Sequence, residues 1–318
     1  MRSIQFLILV LVLGFFSSAG LAQPQTPPEA IRHYDNGAKN LKKGDLAAAF
    51  EDYTKAIEIS SRLAPAKRVS STSWNTENAF TATDRKVEQL TVIDPFTARA
   101  YTNRAFVRFL QKDFDGTIRD CDQAIRINPG IAGAYLNRGT ARRQKGDVIG
   151  ALQDFDRSLA IDKNLFEALN NRGTLRQDLG DIEGALADFN RAITINPNRE
   201  EIYYHRGLAF WARRNYDAAI SDFNRAIKLN NRMAWAYQAR GTALMEKGQL
   251  ELSITDFTRA IELDPEIPFA YANRGLTLLI RGKDVEAQKD FARCLELQPD
   301  LRKELDRRIQ LAKALRKG

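Results

Sequence analysis

The chain has 318 residues and a net charge of +8, with 44% hydrophobic and 28% charged residues. This is the balance of an ordinary soluble globular protein and argues against a mainly disordered or membrane-embedded chain. The length leaves two compact domains and one long repeat array equally open. The moderate positive charge permits acidic partners or a membrane surface, but it is typical of a solvated surface.

The N-terminus has the pattern of a secretory signal. Met1 and Arg2 precede an apolar run over 4–16, and the small residues Gly20 and Ala22 follow it. We predict a signal peptide over 1–22, a linker over 23–29 and an exported protein, periplasmic or secreted. The alternative is an uncleaved N-terminal anchor. The rest of the chain contains no apolar run long enough to span a bilayer, so no membrane span is expected after cleavage.

From Ala98 the sequence repeats with a period of 34 residues. Such a period indicates a solenoid built from one supersecondary unit. The six consecutive repeats are 98–131, 132–165, 166–199, 200–233, 234–267 and 268–301.

Each repeat has two amphipathic stretches around a turn such as Gly146-Asp147, and most repeats end in proline. Glycine suits the end of one helix, and aspartate suits the start of the next. Proline closes one helix and can open another. The pattern therefore predicts a helical hairpin in every repeat.

The residue types at fixed places resemble those of the tetratricopeptide repeat. Counted from the first residue of each repeat, Tyr occupies the fourth place, small residues the eighth and twentieth, Phe the twenty-fourth, Ala the twenty-seventh and Pro the thirty-second. Matches include Tyr135, Gly139, Ala151, Phe155, Leu169, Gly173, Ala185, Phe189, Ala192, Pro197, Tyr271, Gly275, Ala287, Phe291 and Pro299. The resemblance implies an all-α, right-handed superhelical solenoid of antiparallel helix pairs whose first helices line a concave groove.

Three segments flank the six repeats. Residues 30–61 fit the same register and form a first repeat. Residues 62–97 are rich in Ser and Thr and are predicted to be an insertion or a degenerate repeat, with Trp74 and Phe80 expected to pack back onto the scaffold. Residues 302–318 carry one apolar stripe, which predicts the capping helix that the end of a solenoid requires.

Two opposite charges recur strictly. Arginine occupies the seventh place of all six later repeats and aspartate the twenty-third, so we predict structural ion pairs that fix each hairpin or link it to its neighbour. The arginines are Arg104, Arg138, Arg172, Arg206, Arg240 and Arg274, and the aspartates are Asp120, Asp154, Asp188, Asp222, Asp256 and Asp290. The first repeat has Asp52 but Asn36 in place of arginine, so we expect its end to be looser.

An asparagine precedes the arginine in four repeats, as Asn103, Asn137, Asn171 and Asn273, with His205 at that place in another repeat. In the tetratricopeptide family this place faces the groove, and the resemblance implies an amide ladder that holds a peptide backbone. An amide both donates and accepts hydrogen bonds, as a peptide unit does. The alternative is that these asparagines order the helices by bonding to neighbouring backbone.

Other groove places vary between repeats, as a selective surface should. Exposed aromatic side chains there are typical anchors for a partner. The candidates are Phe106, Phe109, Tyr204, Trp211, Trp235 and Phe269.

The residues offer little for catalysis. The two histidines are far apart in the chain, and Cys121 and Cys294 fall at core places of the register, where buried free thiols are expected. We predict no catalytic residues, metal or cofactor.

The predicted function is a non-catalytic scaffold that binds a protein or peptide segment in its groove, in envelope assembly or secretion. The alternative is binding of an anionic polymer, nucleic acid or polysaccharide, through the basic series Arg108, Arg142 and Arg176. Export argues against nucleic acid.

Overall fold

The structure is a computed structural model that describes residues 26–63 and 95–316. The predicted signal peptide, Trp74, Phe80 and nearly all of the predicted insertion therefore lie outside the described residues. The chain divides into two compact units, Met1–Asn171 and Arg172–Gly318. The described residues form α-helices and no strands, as predicted.

The first unit contains three complete helical hairpins and the start of a fourth. Its helices are α1 (Pro28–Lys43), α2 (Leu46–Leu63), α3 (Pro95–Leu110), α4 (Phe114–Ile127), α5 (Ala132–Gln144) and α6 (Val148–Ile161). Helix α7 (Phe166–Asp178) begins in this unit and ends in the second.

The second unit continues with the same hairpin pattern. Its helices are α8 (Ile182–Ile195), α9 (Glu200–Ala212), α10 (Tyr216–Leu229), α11 (Ala234–Glu246), α12 (Leu250–Leu263), α13 (Pro268–Ile280), α14 (Asp284–Leu297) and α15 (Arg302–Leu315). A single 3₁₀ turn, Pro299–Leu301, precedes α15.

The turn inside each hairpin forms as the sequence predicts. Gly146 has a φ of 82°, a left-handed conformation that ends α5 without a Cβ clash. Asp147 then accepts a hydrogen bond from the Gly150 backbone N–H and caps α6. Two turns use other residues at the glycine place, Lys112 with a φ of 63° and Arg214 with a φ of 58°.

The two helices of a hairpin pack closely because a small residue faces an aromatic ring. A Cβ added to Gly139 would lie 2.9 Å from the ring of Phe155, closer than real Cβ atoms approach. In the repeat at 98–131, Ala105 takes the glycine place and Cys121 the phenylalanine place, and both are buried in one cluster. Alanine is larger than the usual glycine, and the cysteine opposite it is smaller than the usual phenylalanine, so the two helices can still pack closely.

The helix bounds differ from the predicted repeat bounds at the edges of 62–97. Helix α2 runs on to Leu63, and α3 begins at Pro95, ahead of the expected start at Ala98. Proline suits the first turn of a helix because its missing N–H would have no intrahelical partner there. Helix α1 likewise begins at Pro28, so the last two residues of the predicted linker are helical.

Helix α15 closes the last hairpin of the second unit. Leu305 and Ala312 are buried in one cluster with residues of α13 and α14, including Leu279 and Phe291. Within 26–63 and 95–316, no helix is both long and apolar enough to cross a membrane.

Candidate functional site

Each of the six recurrent arginines forms an ion pair with the recurrent aspartate of its own repeat. In each repeat the guanidinium donates to both carboxylate oxygens of its aspartate, over N–O distances of 2.6 to 3.2 Å. All six aspartates are buried. Bidentate pairing of this kind is strong and directional, and removing one member leaves a buried charge. These side chains therefore hold the two helices of a hairpin together.

The same arginines also link neighbouring repeats. The remaining terminal nitrogen of Arg138 donates to Asp122 at 2.6 Å, and that of Arg206 donates to Asn190 at 2.7 Å. Arg240 reaches Asn224 at 2.6 Å in the same way. Each acceptor is the twenty-fifth residue of the preceding repeat, so one guanidinium fixes the spacing of two hairpins.

The aromatic residue at the fourth place packs on the same arginine. The Arg104 guanidinium lies 5.2 Å from the ring centre of Tyr101, and Arg138 lies 5.4 Å from that of Tyr135. The cation–π contact and the hydrogen bonds hold these charges inside the scaffold. Hydrogen bonding to Asp222 raises the pKa of the Arg206 guanidinium, which follows from this pairing.

The basic series that motivated anionic-polymer binding is paired within the hairpins. Arg108 donates to Asp120 at 3.0 Å, Arg142 to Asp154 at 2.8 Å and Arg176 to Asp188 at 2.8 Å. Each is a second guanidinium on an aspartate that the recurrent arginine also holds. These three residues thus have a structural role, and polymer binding through them stays a prediction.

In the first repeat, a histidine and an asparagine take the place of the arginine as partners of the aspartate. His33 Nδ1 lies 2.9 Å from one oxygen of Asp52, and the Asn40 amide donates to the other at 2.9 Å. Asn36, at the arginine place, is not required for this arrangement. The aspartate is thus held without a guanidinium.

The asparagines use their amide nitrogens within the protein. Asn103 donates to the Tyr34 hydroxyl at 2.9 Å, and Asn137 donates to the Thr102 carbonyl at 3.2 Å. Asn171 donates to the Thr140 hydroxyl at 3.3 Å. In each case the acceptor belongs to the first helix of the preceding repeat. Of these three bonds, that of Asn137 goes to backbone, as the alternative to a ladder expects, and the other two go to side-chain hydroxyls.

Two asparagines do not project into open space as the ladder requires. Asn137 is 7% exposed and Asn273 is 5% exposed. Asn273 donates to the Thr242 hydroxyl at 3.1 Å, and its oxygen accepts from Arg308 of α15 at 2.8 Å. The expectation of a freely exposed amide is wrong for Asn273, whose nitrogen and oxygen are both bonded, whereas Asn137 is largely buried but still lines a pocket.

One pocket of about 310 Å³ lies in the first unit. Its wall comes from α1, the middle of α3, the first two turns of α5, the end of α6, and the connections that follow α4 and α6. The lining residues are Tyr34, Arg99, Thr102, Asn103, Phe106, Asn128, Gly130, Ile131, Ala132, Gly133, Asn137, Ile161, Asp162 and Leu165. It brings together three predicted groove residues, Asn103, Phe106 and Asn137.

The pocket combines a mainly apolar wall with a few directed polar groups. Phe106, Ile161 and Leu165 supply apolar surface, and Arg99 supplies a positive charge. Asn103 and Asn137 each donate from the amide nitrogen to another group of the protein, and each side-chain amide also has an oxygen that can accept a hydrogen bond. This combination is typical of a binding pocket, and its size lies near the lower end of the range of ~300–1,000 Å³ for ligand sites.

Comparison with known proteins gives the family. Models of the tetratricopeptide repeat (TPR) match residues 173–213 and 241–282, and a second such model matches 200–232. The chain belongs to the tetratricopeptide repeat proteins.

Solved structures show the same fold. A TPR protein from Parabacteroides merdae has a TM-score of 0.58 and 18% identity, over 92% of this chain and 100% of that chain. The APC/C hetero-tetramer Cut9–Hcn1 has a TM-score of 0.64 and 18% identity, over 79% of this chain and 43% of that chain. MamA has 30% identity and a TM-score of 0.46, over 52% of this chain and 96% of that chain. No curated protein sequence matches significantly.

Several aromatic residues that were predicted as anchors of the TPR groove pack inside the protein instead. Phe109 is only 4% exposed and packs on Phe114, with ring centres 5.5 Å apart, so its prediction as a groove anchor is wrong. Tyr204 packs on His205 and Phe223, and burial raises its pKa to about 12.

His205 also stacks on Phe189, with ring centres 6.1 Å apart. Trp235 is partly buried and packs on the cluster that contains Ala234 and Ile267. These two side chains therefore contribute to the contact between TPR hairpins in the second unit.

Trp211 and Phe269 remain exposed, at 38% and 41%. Trp211 lies beside Arg214, Tyr216 and Glu246 near the α9–α10 turn. Phe269 lies against α15, beside Leu305 and other residues that line a small apolar depression. Neither shares a pocket with the asparagines.

Sequence reasoning missed part of the pocket wall. Tyr34 sits at the fifth place of the first TPR, Ile161 is the last residue of α6, and Ile131 and Leu165 lie in the connections that follow α4 and α6. The sequence contains a signal for the last two, because each follows shortly after a proline or asparagine that ends a repeat.

The cysteines agree with the predicted register. Cys121 and Cys294 are both free and buried, and burial raises the pKa of each thiol. Among the described residues, no group of His, Cys, Asp or Glu is arranged to hold a metal ion.

Proposed function

We propose that this TPR protein is a non-catalytic interaction module that binds an extended segment of a partner protein, with the pocket of the first unit as its main site. The observation that carries the proposal is the set of lining residues, in which the polar side chains Arg99, Asn103 and Asn137 share one pocket with a mainly apolar wall. An extended segment offers both N–H donors and apolar side chains to such a wall. The TPR fold shared with other interaction proteins supports it.

The chemistry of the pocket supports binding rather than catalysis. Its titratable side chains are Tyr34, Arg99 and Asp162. None of these is a histidine, cysteine or lysine, and the Tyr34 hydroxyl accepts the Asn103 amide. Burial raises the pKa of Tyr34, which keeps the hydroxyl neutral. A neutral phenol that is already hydrogen-bonded is a poor nucleophile or base.

Rigidity of the scaffold favours this use. Arg104 donates to Thr54 of the first hairpin at 3.2 Å, and Arg138 donates to Asp122 of the next at 2.6 Å, so the helices that line the pocket keep their spacing before a ligand arrives. A preformed site avoids part of the entropy cost of binding. Selectivity then depends on the apolar wall, where Phe106 is the largest side chain.

Selection from a phage-displayed library of 12-residue peptides tests the proposal. Enriched peptides are synthesised, and their affinity is measured by fluorescence anisotropy. We expect Phe106→Ala to weaken binding by about tenfold or more, as removal of an aromatic anchor does. The matched control is Ile149→Ala, which removes an exposed apolar side chain of the same unit outside the pocket.

Two outcomes contradict the proposal. One is the absence of any enriched peptide from a protein that is fully helical by circular dichroism. The other is equal affinity for Phe106→Ala and Ile149→Ala, which would place the site elsewhere.

We propose further that the protein is exported and acts in envelope assembly or secretion. The support is the N-terminal pattern of a charged start, a short apolar run and small residues before position 23. N-terminal sequencing of the protein from fractionated cells tests it. A mature chain that begins at Gln23 in the exported fraction is expected, and a full-length cytoplasmic chain contradicts it.

A further inference from the structure

Most glycines of this protein are required by the fold. Some have a positive φ where a helix ends, as Gly146 does. Others would bring a Cβ unusually close to a neighbouring atom, as Gly139 would to the ring of Phe155 at 2.9 Å. Among the glycines that the structure describes, Gly133 alone has neither property. A Cβ there would meet only the side chain of Thr102, at 3.6 Å, which is an ordinary van der Waals contact.

Glycine is also an unfavourable residue for this place. Gly133 is the second residue of α5, and glycine is a poorer helix former than alanine. The second place of the other five repeats from residue 98 onward carries a larger side chain, in the form of Arg99, Glu167, Glu201, Trp235 and Phe269. Trp235 is partly buried and Phe269 is exposed, so the helical hairpins accept large side chains there. The fold therefore neither requires glycine at this place nor excludes a bulky residue.

The missing side chain of Gly133 leaves space in the pocket of the first unit. Gly133 and Thr102 both line this pocket, so a side chain on Gly133 would begin at the pocket surface, beside Thr102. A tryptophan like that of the repeat at 234–267 would occupy a large share of the volume of about 310 Å³. The glycine therefore keeps the pocket open.

The space beside Gly133 suits an apolar group. Phe106, Ile131, Ile161 and Leu165 line the same pocket. An apolar cavity of roughly 150 Å³ with walls of this kind holds a benzene molecule. The pocket of about 310 Å³ has about twice that volume, which is enough for a bulky side chain and part of the backbone that carries it.

We propose that Gly133 determines the size selectivity of this pocket, because its missing side chain admits one bulky apolar side chain of the bound segment, such as phenylalanine or leucine. This inference rests on the proposed function of the same pocket. Gly133 acts through the room that it leaves and forms no bond to the ligand. The bulky side chain serves as the anchor of the segment.

The first experiment uses the same 12-residue library, followed by synthetic versions of the enriched peptides. We expect a bulky apolar residue at a constant position of the enriched set. Its replacement by alanine should weaken binding to the wild-type protein by about tenfold or more, as loss of a buried anchor does. Fluorescence anisotropy measures the affinities.

Filling the space from the protein side is the sharper experiment. Gly133→Trp should weaken binding of the parent peptide by about tenfold or more. It should also remove most of the cost of replacing the anchor by alanine, because the space for the anchor is already occupied. A double-mutant cycle between protein and peptide measures this coupling. Gly133→Leu, a smaller addition, serves the same cycle if the tryptophan variant does not fold or binds too weakly to measure.

Two control variants separate a role in binding from a role in folding. Gln153→Trp adds the same side chain at an exposed position of α6, in the same unit and outside the pocket, and it should leave both affinities almost unchanged. Gly133→Ala should unfold at the same or a higher temperature than the wild-type protein, because alanine favours the helix and its Cβ meets no close contact.

The outcomes distinguish this inference from the proposed function. Enriched peptides without a bulky apolar anchor overturn the inference while the binding function stands. An anchor whose replacement costs the same in the wild-type protein and in the Gly133→Trp or Gly133→Leu variant overturns it as well. A lower unfolding temperature of Gly133→Ala would show that the fold itself requires the glycine. No enriched peptide at all contradicts the proposed function.

Discussion

The repeats of 98–199 and those of 200–301 hold the same buried aspartate in different ways. In the earlier group two guanidinium groups share each carboxylate, as Arg138 and Arg142 share Asp154. In the later group the eleventh place carries Phe210, Leu244 or Leu278 instead, and Asp256 is held by Arg240. The same fold therefore accepts either a carboxylate bound by two guanidinium groups or a single ion pair beside an apolar side chain.

The exchange shows why a charged place and an apolar place are interchangeable here. Leu244 and Leu278 are buried, whereas Arg142 is partly exposed and reaches Asp154 with its terminal nitrogen. A leucine at the eleventh place stabilises the fold by burial, and an arginine there does so by an ion pair. The two arrangements should differ in stability only when the arginine of the seventh place is removed.

The largest expected effect is the loss of stability when the arginine of the seventh place is removed. Arg240→Met should lower the free energy of unfolding by about 3–5 kcal/mol, because it leaves Asp256 buried without its guanidinium partner. Arg138→Met should cost clearly less, because Arg142 still pairs with Asp154. Urea denaturation followed by circular dichroism measures both. Equal losses would show that the second arginine does not compensate.

A smaller effect concerns the packing of the two hairpin helices. Cys121→Phe in the earlier group should destabilise the protein by about 1–3 kcal/mol, because the ring would meet the Cβ of Ala105. Adding Ala105→Gly recreates the pairing of Gly139 with Phe155 and should restore part of the loss. A double-mutant cycle in thermal unfolding measures the coupling. Strictly additive effects would refute the proposed fit.

The smallest effect is a difference in pH dependence between the two groups. Burial raises the pKa of Glu201, and its Oε2 is buried without a hydrogen-bond partner among the described residues. The folded state then favours the protonated acid, so stability falls as the pH rises from the unfolded pKa through the folded pKa. Glu201→Gln should remove this fall and stabilise the protein at neutral pH by less than about 1 kcal/mol.

Asp113 of the earlier group should behave in the opposite way. Its hydrogen bonds from the Gly116 backbone and from Arg108 lower the pKa of its carboxyl. Its contribution to stability is therefore present above the unfolded pKa and is lost as the pH falls through the folded pKa. Thermal unfolding of Glu201→Gln and Asp113→Asn across acidic and neutral pH measures both signs. Parallel curves for the two variants would contradict the assignment.

Much of the fold followed from local and periodic information. The hairpin turns appear at the predicted glycines, and the six arginines meet the six aspartates because both recur with one period on facing helices. The start of α3 was missed since proline at the first helical position and the preceding segment obscured the register. The helical class and the repeat family needed no distant contact.

The candidate site was predicted only in part. Asn103, Phe106 and Asn137 do line the pocket, whereas Phe109, three positions beyond Phe106, is buried. The two phenylalanines belong to the same helix and have the same hydrophobicity. Which of them faces the pocket depends on how α3 packs against its neighbours, and the pattern within one repeat does not contain that information.

The sequence by itself determined the repeat, the hairpin and the charges that hold it, because each depends on residue types at a constant spacing along the chain. Tertiary structure decided which of those groups a ligand can reach. The Asn103 amide donates to a tyrosine 69 positions earlier, and Arg108 is neutralised by an aspartate on the next helix. Hydrogen-bond capacity is finite, so a donor engaged inside the protein is no longer offered to a partner, and only packing shows which donors are engaged.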